Sequence, residues 1–388
     1  MFTRGKLRPN SFFGAVALMV GTAVGAGIFA LPYTFAKAGT LVGVVYLVVL
    51  GSILLLVNLA YGEIAISTEG DHQYTAYVGR YLGKRWKVLS LFSMCLGFYG
   101  ALSAYTVEVS TLLQELLAGV IPLTRIQFGL IYIVCVGLAL LIGLRAVTAV
   151  DKVLMLVMLG LIATFVIIGI PHINLDNLEA VHPTALFLPY GVVLFALTAA
   201  SAVPDMKRVL HNEGHLLKRA ILIGSSLPVI IYIIFSIVAV GITGQGTTES
   251  SILGLGEVLG PSALVLGGIF GCITMTTAFL VLGLALREMY QLDMKIHGTI
   301  AWLLVLIPPL LMLLLNLLSF VEILGMSGAI VGGIDGIVIM HMHRRLRLVH
   351  HLPSSFTVSQ SVIVHTLAYA VFLGGIAYET WIIFQRLS

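Results

Sequence analysis

Polar residues along this chain fall in short clusters, and between them run eleven long apolar stretches. Their approximate limits are 12–37, 41–67, 88–118, 126–143, 150–170, 185–206, 220–243, 261–288, 299–317, 319–340 and 361–385. A helix needs about 20 apolar residues to cross the hydrocarbon of a bilayer. The pattern therefore predicts eleven membrane-spanning helices. The third and eighth runs are long enough to be tilted or to project beyond the core.

Composition supports this. The 388 residues are 59% hydrophobic and only 10% charged, with a mean hydropathy of +1.07, unlike any soluble globular domain. The 41 glycines suit close helix packing in lipid. A formal net charge of +4, spread over short connections, is no nucleic-acid signal. Cys95, Cys135 and Cys272 all lie in apolar runs, which argues against a disulfide framework. Arg4, Lys6 and Arg8 before an apolar run imitate a secretory signal. The run continues to Lys37, so it is read as a retained first helix.

Basic residues set the expected orientation. With the N-terminus in the cytoplasm, eighteen Lys and Arg fall on the inner side, and only Lys37, Arg125 and Arg386 on the outer. The C-terminus is then outside. The longest connections, 68–87, 171–184, 244–260 and 341–360, leave no room for a soluble domain. The run His341-Met342-His343-Arg344-Arg345-Leu346-Arg347, with His350 and His351 beyond it, is read as a basic loop facing anionic lipid rather than a metal site.

Two runs contain breaks. In the first, Gly21-Thr22-Ala23-Val24-Gly25-Ala26-Gly27 places three glycines within seven residues, each costing a helix interior about 1 kcal/mol against Ala. A small-residue packing face is one explanation. The other is a helix opened so that its half-helix ends face a ligand. In the sixth run, Leu194-Phe195-Ala196-Leu197-Thr198-Ala199-Ala200-Ser201-Ala202 is small and hydroxyl-rich, and Pro204-Asp205 follows. The first and sixth runs hold matching places in two five-helix halves, 12–170 and 185–340, with 361–385 as an extra helix. Matched interruptions point to a transporter site at an inverted-repeat interface. No Arg or Lys lies deep in a span to meet a carboxylate, so backbone recognition is the available route.

At this point the chain resembles a known family. Val20-Gly21-Thr22-Ala23-Val24-Gly25-Ala26-Gly27-Ile28-Phe29-Ala30-Leu31-Pro32 resembles the first helix of the amino acid/auxin permease group, within the amino acid–polyamine–organocation superfamily. The stretch from Gly191 through Pro204-Asp205 resembles its sixth helix. Tyr61-Gly62-Glu63-Ile64 and Tyr77-Val78-Gly79-Arg80-Tyr81-Leu82-Gly83-Lys84 fit its second helix and following loop. The resemblance implies the leucine-transporter-type fold, all-α, with helices 1 and 6 broken. It implies alternating-access import of a free amino acid.

By position, the amides of Ala26 and Gly27 would meet the substrate carboxylate, and a side chain at Gly27 would project into that site. Carbonyls of Ala23, Phe195 and Thr198 would meet the ammonium, with Thr22, Gly25, Ala196 and Ser201 completing the lining. Phe195 matches an aromatic lid over the substrate. Relatives often carry Gly and a bulky residue where this chain has Ala199-Ala200. That implies a roomier pocket and leaves the unwinding of the sixth helix open.

In sodium-coupled relatives a hydroxyl pair in the eighth helix faces the broken first helix. Here that pair is Thr276 and Thr277, and the carbonyls of Gly21, Val24 and Ile273 would complete a Na⁺ site. Proton-coupled relatives can place a lysine from the fifth helix there, where this chain has Met158. Sodium is thus favoured over the proton as coupling ion, with no other cofactor expected. A proton-coupled symporter, an exchanger and a membrane sensor without transport remain the alternatives.

Glu108 and Asp335 are intramembrane acids, hence coupling or gating candidates. Glu63 and Asp205 lie nearer the span ends, as gate or loop anchors. Pro308-Pro309 is expected to kink the ninth span, and 244–260 to act as an outer lid. No H-E-x-x-H or paired-acid motif marks a membrane enzyme. The expectation is a multi-pass inner-membrane protein, in contact with lipid and its amino acid, with no required oligomer.

Overall fold

Lipid offers no partners to backbone polar groups, so a chain this apolar must satisfy them within helices. The computed structural model describes residues 11–142, 147–211, 213–292, 294–349, 356–358 and 361–387. Side chains at 142, 147–156, 292, 347–349 and 386–387 lie outside that description. Arg4, Lys6, Arg8, Arg145, His350 and His351 fall outside it too, as does the Lys152 side chain.

The first run is two helices, α1 (Ser11–Ala23) and α2 (Gly27–Ala38). It is followed by α3 (Thr40–Ile66), the short α4 (Tyr74–Leu82), α5 (Lys84–Leu117), α6 (Arg125–Ile142) and α7 (Val147–Gly169). A short turn, α8 (Asp176–Glu179), leads to the sixth run, which comprises α9 (Leu188–Leu197) and α10 (Val203–Val209). Then come α11 (Gly214–Thr243), α12 (Ile252–Leu259), α13 (Pro261–Leu292) and α14 (Gly298–Leu315). The tenth run is α15 (Phe320–Ser327), a π turn over Gly328–Gly332, and α16 (Gly333–Val349); α17 (Val362–Leu387) closes the chain. Each expected run thus has its helix or helix series. Among the described residues eight are long and apolar enough to cross a bilayer unaided, and α1 with α2 forms a bent pair. The fourth and fifth runs are α6 and α7.

Pro308 and Pro309 lie inside α14. One expectation needs correction. The supposed loop from His341 continues α16 to Val349, because its apolar face keeps packing on α3 and α17.

Packing separates two groups of helices. The first, second, sixth and seventh runs pack on one another, through α1 on α10 and α11, α2 on α9 and α11, and α3 on α11. The third, fourth, eighth and ninth form a second group around α5. The tenth run joins them, with α15 against both α5 and α9. Glycines permit the closest approach here. A Cβ on Gly328 would lie 2.6 Å from the Phe195 amide nitrogen, so α9 and the π turn meet backbone to backbone.

Candidate functional site

Val24, Gly25 and Ala26 leave the helix between α1 and α2, whose axes bend by 53°. The Ile28 and Phe29 amides reach back to Gly25 and Ala26 carbonyls. Among the described residues no backbone carbonyl receives the amides of Gly25, Ala26 or Gly27. These three donors stand at the positive end of a twelve-residue helix, the setting in which a carboxylate binds. Gly25 faces open space: a Cβ there meets nothing within 4 Å. Gly27 does not. A Cβ on Gly27 would lie 2.7 Å from Ala196 Cβ, so its missing side chain serves packing between the breaks. The expectation that a side chain at Gly27 would project into an open site is corrected accordingly; it is Gly25 whose Cβ would meet open space.

The sixth run opens at Thr198 and Ala199 and resumes through a 3₁₀ turn, Ala200–Ala202. The Ala199-Ala200 pair therefore does not prevent the break. The Phe195 carbonyl accepts the Thr198 amide at 3.3 Å, and Thr198 Oγ1 donates to the Leu194 carbonyl at 2.7 Å. The loose carbonyls of the two breaks meet elsewhere. Tyr232 of α11 donates toward the Ala23 carbonyl at 2.7 Å and the Ala196 carbonyl at 3.1 Å. Sequence reasoning missed Tyr232. Its one signal was a lone hydroxyl among aliphatics, Ile230-Ile231-Tyr232-Ile233-Ile234.

Between the two helix groups lies a cavity of about 640 Å³. The nine residues expected at the substrate site, Thr22, Ala23, Gly25, Ala26, Gly27, Phe195, Ala196, Thr198 and Ser201, all line this cavity. The facing wall is Met94, Phe98, Ala101 and Tyr105 of α5, Leu282 and Ala285 of α13, and Gly328 and Val331. The cavity continues to Gln73, Tyr74, Glu288 and Met289, at the end of the molecule that carries most of the basic side chains. The opposite end is closed over α2. Ser251 Oγ donates to the Phe29 carbonyl at 2.5 Å, Gln245 Nε2 to the Ala36 carbonyl, and the His182 amide to the Ala38 carbonyl. The 244–260 segment is thus tied to α2 on that side.

Asp335 also lines the cavity. Its Oδ1 accepts from Tyr74 Oη at 3.0 Å and Ser93 Oγ at 3.1 Å. Burial pushes the Tyr74 phenol well above its ordinary range, and the Asp335 charge and hydrogen bond add to that, so Tyr74 stays a donor.

Glu108 is brought to a different place. It is buried beside a separate pocket of about 200 Å³, with Arg125, Glu249 and Ser250, toward the end away from the basic side chains.

The five residues assigned to sodium lie on α1, in the break that follows it and on α13. Thr276 Oγ1 donates to the Cys272 carbonyl and Thr277 Oγ1 to that of Thr274. Ile273 is exposed on the outer surface of α13. The helix packs on α5, α6, α7, α12 and α14, whereas α1 packs on α10 and α11. None of Gly21, Val24, Ile273, Thr276 and Thr277 lines the large cavity.

Glu63 is a loop anchor. Its Oε2 accepts the Val358 amide at 2.7 Å and pairs with His343 Nε2 at 3.0 Å, both side chains being buried. His343 therefore does not face lipid, and His341 stacks on Trp86. Asp205 pairs with Arg208 at the surface, an exposed i,i+3 contact.

A cavity walled by the loose ends of two interrupted helices, set between two groups of packed helices, is the arrangement of a membrane transporter. The fold agrees. The structure titled "Inward facing conformation of Mhp1" superposes with a TM-score of 0.67, at 12% identity, over 96% of this chain and 91% of that one. This is the leucine-transporter-type fold expected from the sequence. The tryptophan/tyrosine permease family profile matches residues 8–381, and the chain belongs to that family. The amino acid/auxin permease group is thereby replaced by this one.

Among curated relatives, the tyrosine-specific transport system 1 of Haemophilus influenzae is 27% identical over 82% of this chain and 84% of its own. The tryptophan-specific transport protein of the same organism is 23% identical over 82% and 83%. Glutamine transporter 2 of Aliivibrio fischeri is 22% identical over 82% and 84%.

Proposed function

We propose that the protein imports an aromatic L-amino acid across a bacterial inner membrane by alternating access, in symport with a proton. The observation that carries this reading is the cavity itself. For a carboxylate it offers amides at Ala26 and Gly27 that no backbone carbonyl receives among the described residues, for an ammonium the carbonyls at Ala23 and Ala196, and for the side chain an apolar wall. A zwitterion in a site of low dielectric needs both charges met, and two half-helix ends supply opposite partial charges. Phe98, Tyr105 and Phe195 present aromatic surface to a ring. The names of the two Haemophilus relatives agree with an aromatic substrate. The name of the Aliivibrio relative makes glutamine the competitor to test first.

The basic end is read as cytoplasmic, which puts the cavity mouth on the inside and the 244–260 cover on the outside. Coupling is assigned to a proton rather than sodium. Asp335 is an acid on the cavity wall, while the hydroxyls of Thr276 and Thr277 are turned onto their own helix. The test is uptake of L-tyrosine, L-tryptophan and L-glutamine into proteoliposomes, with pH and sodium gradients imposed separately. Accumulation of an aromatic amino acid under a pH gradient alone is expected. Binding with no uptake under any gradient would favour a sensor, and uptake only from amino-acid-loaded vesicles an exchanger.

A further inference from the structure

Tyr232 is fully buried, behind the cavity rather than on its wall. Its hydroxyl lies 2.7 Å from the Ala23 carbonyl and 3.1 Å from the Ala196 carbonyl. Ala23 closes α1 and Ala196 stands in the last turn of α9, so both carbonyls belong to the negative ends of half-helices. Two such ends converging on one point repel unless a donor lies between them. A phenol brings one proton, and each carbonyl has two lone pairs. Tyr232 therefore uses part of the accepting capacity of the pair. Both Ala23 and Ala196 also line the cavity.

We propose that Tyr232 is a positioning residue that clamps the Ala23 and Ala196 carbonyls into a single seat for the substrate ammonium. It touches no substrate. Its hydroxyl holds the pair from the α11 side, and the ammonium completes the pair from the cavity side. The proposal rests on the amino acid reading of the cavity and names what shapes one half of it. It also implies that the first and sixth runs are tied together through α11 at the ammonium seat. An ammonium arriving there strengthens a link that already exists.

The experiment compares L-tyrosine with 3-(4-hydroxyphenyl)propionate, the same molecule without its ammonium. Binding of each to the purified full-length protein is measured by calorimetry, for wild type and Tyr232→Phe. The clamp predicts that Tyr232→Phe weakens L-tyrosine about tenfold, the scale of one charge-assisted hydrogen bond, and leaves the des-amino acid unchanged. Equal loss for both ligands, or no loss for either, overturns the clamp, since a merely structural tie would not distinguish them. If Tyr232→Phe does not fold, 4-aminophenylalanine is placed at 232, which keeps an N–H donor at the ring's far end. That protein must retain the wild-type preference for L-tyrosine; a folded protein with no preference overturns the proposal. If wild type itself binds the des-amino acid as tightly as L-tyrosine, the ammonium seat is absent and the amino acid reading falls with it. A wild-type preference that Tyr232→Phe leaves intact removes only the role of Tyr232.

Discussion

Gly27 and Ala196 touch across the two helix breaks: a Cβ on Gly27 would sit 2.7 Å from the Ala196 Cβ and 2.8 Å from its Cα. The start of α2 is thereby pressed onto the end of α9 with no space for a methyl group. Gly25, two residues earlier, looks into the cavity and has nothing within 4 Å. The two glycines give a paired prediction. Gly27→Ala forces two backbones apart and costs about 1–3 kcal/mol of stability, the usual range for overpacking. It lowers the thermal midpoint in detergent. Gly25→Ala leaves the midpoint within a degree or two, but fills the space beside the Ala26 and Gly27 amides and weakens L-tyrosine binding at least tenfold. Equal behaviour of the two variants in both measurements would contradict this division.

Phe195 is half-buried and stands on the cavity wall beside the sixth-run break. Under the proposed function its ring would contribute apolar contact to the bound side chain rather than hydrogen bonds. Phe195→Ala should lower affinity for L-tyrosine and L-tryptophan by about tenfold or more, in line with about 1–3 kcal/mol for burying an aromatic contact. L-alanine, with no ring to pack, should lose little. Competition binding with the three amino acids checks it, and uniform loss across them would show that Phe195 supports the break instead.

Glu63 and His343 are 280 residues apart in sequence and 3.0 Å apart in the fold. Glu63 also holds the Val358 amide, so one carboxylate fastens α3, α16 and the segment leading to α17. His365 of α17 lies behind His343, with parallel rings and a nitrogen–nitrogen distance of 3.4 Å. Glu63→Ala strands buried polar groups, each costing about 1–3 kcal/mol. The expected result is a clear fall in thermal midpoint and faster proteolysis between α16 and α17. Glu63→Gln, which can still accept from Val358, should fall less. If Glu63→Ala melts with wild type, the carboxylate does not fasten these helices.

What was legible in the sequence follows from what each signal depends on. Span limits need only hydropathy, and lipid leaves the backbone no alternative to helix, so all eleven runs were found. The breaks were visible because glycines and small residues interrupt runs that should hold helix formers. Which glycine faces the cavity was not visible. Side chains advance about 100° per residue only while the helix continues, and at Val24–Ala26 it does not. The hydroxyls of Thr276 and Thr277 were assigned by place in the chain, which says nothing of where a hydroxyl points. Their own preceding turn supplied acceptors. His343 was assigned to a lipid-facing loop because Arg344, Arg345 and Arg347 surround it. Its buried partner, Glu63, comes from the second span and cannot be seen in that window. Tyr232 was overlooked because a tyrosine in an aliphatic run reads as packing, and the two carbonyls it meets are backbone atoms with no sequence signature.

The last prediction concerns Asp335. Its Oδ1 accepts from Tyr74 and Ser93, and the residue lines the cavity walled by the two helix breaks. An acid in that position can carry a proton between the two sides as the cavity changes its face. Asparagine keeps the size and one acceptor oxygen, so Asp335→Asn preserves both hydrogen bonds while removing the titratable group. The expected protein folds normally, binds L-tyrosine with near wild-type affinity, and equilibrates it across vesicles. It no longer accumulates L-tyrosine against its gradient when only a pH difference is imposed. Thr276→Ala and Thr277→Ala, whose hydroxyls bond their own helix, should accumulate it as wild type does. The opposite pattern would assign the coupling to sodium. In that case uptake would need sodium at equal pH, each threonine variant would raise the sodium concentration for half-maximal uptake, and Asp335→Asn would remain fully coupled.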